Sequence, residues 1–109
     1  MDFEEYQKES KKTAMYPDIG KNFVYPTLGL AGESGEVADK IKKVIRDNNG
    51  IVDEISLIGI KKELGDVLWY LSQLATELNL SLDDIANENL QKLFSRMERN
   101  KIHGEGDNR

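Results

Sequence analysis

The chain has 109 residues, enough for one domain with one modest core, and 39% hydrophobic with 32% charged residues is the balance of a soluble protein. Fifteen basic against twenty acidic residues, a formal charge of −5, lack the basic surplus of a nucleic-acid-binding domain, and the absence of cysteine excludes disulfides and thiolate metal sites. No apolar run approaches the ~18–20 residues that cross a membrane, and the opening MDFEEYQKES lacks the basic-then-apolar order of a secretory signal, so the expectation is a cytoplasmic protein without nucleic-acid or membrane partners.

In chain order, residues 2–15 read as a first helix, with Asp2 as its cap and Phe3 and Tyr6 on an apolar edge. Both prolines fall in the next stretch, as Tyr16-Pro17 and Tyr25-Pro26. The residue before proline avoids the helical region, so a link is expected up to residue 27, with Tyr16 and Tyr25 as a possible lid. A second helix is expected from Leu28 to Asp47, carrying Leu30, Val37, Ile41, Val44 and Ile45 at helical spacing. RDNNG, Arg46 to Gly50, is a stop signal suited to left-handed backbone. A third helix follows from Ser56 to Leu78, with Ile60, Leu64, Val67, Leu68, Leu71, Leu74 and Leu78 as the clearest apolar stripe. Ser81, with Asp84 three residues on, starts a fourth helix running to Asn100. The expected fold is all-α, a four-helix, largely antiparallel bundle in a single domain spanning 1–109. Residues 1–27 form its first helix and link, 28–100 its core helices, and 101–109 a flexible polar tail.

Two stretches thirty positions apart resemble one another: ESGEVA, Glu33 to Ala38, and ELGDVL, Glu63 to Leu68. Each sets two carboxylates three residues apart on a helix, which costs ~0.2–0.5 kcal/mol per pair, around a glycine that costs ~1 kcal/mol relative to alanine. At 100° per residue, the acids of both helices flank the apolar stripe instead of opposing it. Antiparallel packing through the stripes would therefore carry Glu33, Glu36, Glu63 and Asp66 to one rim. Four such carboxylates repel unless a cation lies among them, and hard oxygen ligands without His or Cys favour Mg²⁺, Mn²⁺ or Ca²⁺ over zinc. Gly35 and Gly65 would let a helix or ligand approach the backbone. The same polar border includes Tyr70, Gln73 and Glu77, and Glu77 is expected to be an ordinary surface acid.

The ordered set Glu33-Ser34-Gly35-Glu36, twenty-six intervening residues, then Glu63-Leu64-Gly65-Asp66, resembles the MazG-like family of all-α nucleoside triphosphate pyrophosphohydrolases. The flanks LGLAGESGEVADKIKK, KKELGDVLWYLSQLA and ENLQKLFSR, together with the tail GEGDNR, extend the resemblance from Leu28 to the C-terminus. It implies hydrolysis of a nucleoside triphosphate, often a deoxy or non-canonical one, between the α- and β-phosphates. It also implies catalytic and Mg²⁺-binding roles for Glu33, Glu36, Glu63 and Asp66, with Mn²⁺ as a possible substitute, and a homodimer or a homotetramer built as a dimer of dimers. Lys40 and Lys62 are candidates for phosphate contact. Asn89, Lys92 and Arg96 share one face of the fourth helix, matching a family pattern, and are candidates for phosphate or ribose contact unless Arg96 pairs with a surface acid. Trp69 is expected at a subunit interface or as a base-stacking surface. The competing reading is a non-catalytic helical interaction or regulatory module whose carboxylates are structural.

Overall fold

The computed structural model describes residues 1–100 and 103–107, and among these every regular element is a helix. α1 spans Phe3–Lys11, α2 Val24–Asn48, α3 Glu54–Glu77 and α4 Leu82–Glu98. The caps are local and follow from residue type. Asp2 accepts from Glu5 N at 2.8 Å, Asp53 from Ser56 N at 2.8 Å, and Ser81 from Asp84 N at 3.2 Å. α2 ends where RDNNG said it would: Asn49 and Gly50 adopt φ of 54° and 77°, and Gly50 N donates to Val44 O at 3.1 Å.

Two boundaries differ from the sequence expectation by more than two residues. α1 stops at Lys11 instead of residue 15, because the Thr13 hydroxyl turns back onto Ser10 O at 2.7 Å while receiving Trp69 Nε1 at 2.8 Å. α2 begins at Val24, not Leu28, so Tyr25-Pro26 belongs to the helix. Proline at the third helical position loses nothing, since that N–H has no intrahelical acceptor. Asn22 Oδ1 then takes the Tyr25 N–H at 3.0 Å, and the Pro26 ring is fully buried.

α2 and α3 form an antiparallel hairpin, α1 packs across α3, and α4 packs on α1. The hairpin does not close through its apolar stripes as expected. A Cβ placed on Gly29 would fall 2.1 Å from the Tyr70 ring, and one on Gly59 would fall 3.7 Å from Lys40 Nζ. These two contacts set the seam along the acid-bearing edges of both helices. At 100° per residue the stripes then turn to one side of the hairpin and remain partly open, with Ile45 66%, Leu64 52% and Leu78 47% exposed. The opposite side receives α1 through a polar joint. Ser10 Oγ meets Ser72 Oγ at 3.0 Å and receives Gln73 Nε2 at 3.0 Å. Gln7 bonds Thr76 Oγ1, Leu80 O and Leu82 N, fastening α1 to the α3–α4 corner.

The helices therefore form an open array instead of a closed bundle. The accessible surface is 8166 Å² against about 6100 Å² for a compact monomer of this mass. The radius of gyration is 16.8 Å against about 13 Å. The polar tail is described in part: residues 101, 102, 108 and 109 lie outside the described residues, while Asp107 reaches back to α4.

Candidate functional site

The seam of the α2–α3 hairpin brings together three of the four motif carboxylates. Glu33, Glu63 and Asp66 each offer an oxygen within 4.8 Å of those of the other two. Glu33 and Glu63 are half-buried and Asp66 is exposed, so the group opens to solvent at its Asp66 side. The convergence follows from spacing. Two antiparallel helices in contact at Gly29–Tyr70 and at Lys40–Gly59 must place Glu33 opposite the turn that carries Glu63 and Asp66. Glu36 is exposed one turn farther along α2 and stands outside this group of three, although its charge reaches Glu33.

Electrostatically the group is strained. Partial burial raises the Glu33 pKa above the ordinary glutamate range, and the charges of Asp66, Glu63 and Glu36 raise it further, with Glu63 close enough to share a hydrogen bond. Such a set fits a divalent cation: it supplies hard oxygen donors from two rigid helices, and its mutual repulsion is what a bound cation would relieve. The ligands would be Glu33, Glu63 and Asp66, with Glu36 adjacent.

Aromatic side chains close the Gly29 end of the seam. Tyr16 stacks on Tyr25 at 4.9 Å, Tyr25 meets Tyr70 at 6.4 Å, and Trp69 stands edge-on to Tyr70 at 5.0 Å. Burial raises the Tyr70 pKa, and Tyr25, Glu33 and Asp66 raise it further, which places its hydroxyl in the field of the carboxylates. Tyr6 of α1 is raised by burial and then by the Asp66 charge, so α1 borders the site as well. Neither Tyr6 nor Gly29 was singled out for the site from sequence. The signal available was angular: Gly29, Glu33 and Lys40 share one edge of α2.

Several expected roles fall differently. Glu77 is no ordinary surface acid: it accepts from Tyr16 Oη at 2.5 Å, Gly20 N at 2.9 Å and Asn22 N at 3.2 Å. Tyr16 is thereby buried and fixed, and it does not hang free as a lid. Gln73, assigned to the same polar border, is fully buried against α1. A Cβ on Gly35 or Gly65 would meet nothing within 4 Å, so the motif glycines allow no close approach within the chain. Trp69 is half-buried and donates to Thr13 at 2.8 Å, an engagement inside the chain. Lys40 lies half-buried over Gly59, and Lys62 is exposed beside Glu63. On α4, Asn89 is exposed, Lys92 pairs with Asp107 at 3.1 Å, and Arg96, only 3% exposed, bonds Asp107 through both its backbone and side chain. Arg96 thus has an acidic partner, and that partner is in the tail.

The fold and the site define an all-α domain with a carboxylate group at a helix seam. The family model for the MazG nucleotide pyrophosphohydrolase domain matches residues 26–100, and the chain belongs to this family. It is also similar to the "Gene 37 protein" of Mycobacterium phage L5, with 43% identity over 109 aligned positions covering 95% of this chain and 96% of that one. No solved structure matches. Among the described residues no helix is long and apolar enough to cross a membrane.

Proposed function

We propose that the protein hydrolyses a nucleoside triphosphate at the α–β phosphate bond, with Mg²⁺ as the cofactor and Mn²⁺ as a possible substitute. The observation that carries this reading is the convergence of Glu33, Glu63 and Asp66 within 4.8 Å in a chain of a nucleotide pyrophosphohydrolase family. A divalent cation held there would neutralise phosphate charge and polarise the phosphoryl group under attack. The chain's own carboxylates hold that cation and accept a proton. One water is consumed, the P–O bond of the bridging anhydride breaks, and nucleoside monophosphate, pyrophosphate and one proton result. The proton is taken up by one of the glutamates at the seam or leaves with the cation-bound water. Glu36, one turn away, is placed to take part through its charge.

The working form on this reading is a homodimer or a dimer of dimers. The apolar side of the hairpin, with Ile41, Ile45, Leu57 and Leu64 exposed, needs a cover that the single chain does not provide.

The test is a panel of canonical and modified ribo- and deoxynucleoside triphosphates with Mg²⁺ or Mn²⁺, with every product identified. The expected result is monophosphate plus pyrophosphate from at least one substrate, abolished by chelation and reduced at least ~100-fold by Asp66→Asn with helicity unchanged. Release of orthophosphate and diphosphate, or no turnover across the panel, sinks the reading and favours a non-catalytic interaction module.

A further inference from the structure

Beyond the carboxylates, the seam continues into a cavity of about 280 Å³ lined by Lys40, Lys43, Val44, Asn48, Ile55 and Gly59, with Asp47 and Ser56 at its wall. Gly59 forms part of the cavity wall, and the Lys40 side chain lies alongside it, 3.7 Å from where a Cβ at that position would stand. From residue 39 to 47, α2 carries Lys40, Lys42, Lys43 and Arg46 against Asp39 and Asp47, a local surplus of two positive charges in a chain of net charge −5.

The pairing within this segment identifies the available cation. Lys43 and Lys42 share Asp39 at 2.8 and 3.0 Å and hold its carboxyl down to about 2, while Arg46 pairs with Asp47 at 2.7 Å. Lys40 has no ion-pair partner among the described residues, although it is half-buried at the seam. With its stem laid along the seam and its ammonium unpaired, Lys40 can form a charge-assisted contact with an arriving anion without breaking an existing ion pair.

The spacing supplies the anion's identity. Lys40 is seven residues from Glu33, about 10 Å along the helix axis, and Gly59 lies one turn before Glu63. A phosphate chain starting at the carboxylate-bound cation and a lysine side chain reaching back bridge that interval. In the other direction the seam ends in Tyr70, Tyr25 and Tyr16, an aromatic wall of which Tyr25 is exposed and which carries no positive charge.

We propose that the Lys40 cavity seats the β- and γ-phosphates, so that the triphosphate lies along the seam with its leaving pyrophosphate toward the Asn49–Gly50 turn and its nucleoside toward the tyrosines. This rests on the pyrophosphohydrolase reading and adds a subsite and a polarity to it. Lys40 neutralises the departing pyrophosphate, Glu33, Glu63 and Asp66 would hold the cation that offsets the phosphate charge around the scissile bond, and the α2–α3 seam fixes the distance between the two.

Binding of each product separates this from the parent reading. Inorganic pyrophosphate and, in separate titrations, the nucleoside monophosphates of the four common bases are measured by calorimetry with Mg²⁺ on the full chain. Lys40→Ala should weaken pyrophosphate about 10-fold or more, the loss of one charge-assisted contact, and change the monophosphates by less than about 2-fold. Ile55→Trp, which fills the cavity without touching a charge, should give the same pattern and guards against a misfolded Lys40 variant, with helicity checked for both. Absence of pyrophosphate binding to the unaltered protein, an equal loss for both products, or a loss confined to monophosphates overturns the proposal. A protein that binds pyrophosphate at Lys40 yet turns over no triphosphate would sink the parent reading and the triphosphate polarity with it, while leaving the Lys40 subsite standing.

Discussion

At the residue scale the seam holds one carboxylate in an unfavourable place. Burial and the surrounding charges raise the Glu33 pKa, so the folded chain binds that proton more tightly than the unfolded chain does. Stability then falls as pH rises through the raised value and recovers on acidification. Glu33→Gln removes the repelling charge while keeping the shape. It should raise the melting temperature of the metal-free protein near neutral pH, flatten its dependence on pH just above the ordinary glutamate range, and abolish the stabilisation given by Mg²⁺. Melting curves with and without Mg²⁺ across that range check all three, and an unchanged Mg²⁺ response in the variant would place the cation elsewhere. Glu77 has the opposite sign. Burial pushes it up, but Tyr16, the Gly20 and Asn22 amides and Lys11 together outweigh that and leave its pKa lowered. Its contribution is present near neutrality and is lost as pH falls through that lowered value. Glu77→Ala should cost about 1–2 kcal/mol in urea unfolding and speed amide exchange at Gly20 and Asn22, with Glu77→Gln losing less because one acceptor oxygen remains.

At the element scale, what was legible from sequence was what neighbours along the chain decide. Asp2, Ser81 and the Asn49-Gly50 stop act within six residues, and each stands where the sequence put it. The pairing of Glu33 with Glu63 and Asp66 was readable because it needs only helical period and antiparallel order. Tyr25-Pro26 was misplaced because the restriction on a pre-proline residue is relaxed in a helix's first turn, where Asn22 supplies the acceptor. Glu77 was misread because its partners lie 55 to 61 residues away, beyond any local pattern. The seam itself was misjudged by roughly 100° of helix rotation. Hydrophobic period says which face is to be buried but not what buries it. In α2 and α3 the closest approach is set by Gly29 under Tyr70, where any Cβ would clash, and the seam runs on to Gly59 beside Lys40, two features that a stripe of leucines hides.

At the scale of the whole molecule that rotation has a consequence. The chain exposes about 2000 Å² more than a compact monomer of its mass, and the surplus includes the apolar side of the hairpin. Two copies each covering that much would bury about 4000 Å² in total, within the range of obligate dimers and far above a crystal-type contact. The hairpin's polar side is already taken by α1 over the second half of α3, so the apolar side is the face left for a second copy. The protein should therefore sediment as a dimer or larger at micromolar concentration. Placing charges on the face with Ile41→Lys and Leu64→Lys together should dissociate it, lower its melting temperature and remove activity. The control is Met15→Lys, at a residue 91% exposed in the link between α1 and α2, which should leave the assembly intact. A monomer by sedimentation in the unaltered protein, with the seam carboxylates still binding Mg²⁺, would mean that the open face serves a different partner and that one chain suffices for the cation.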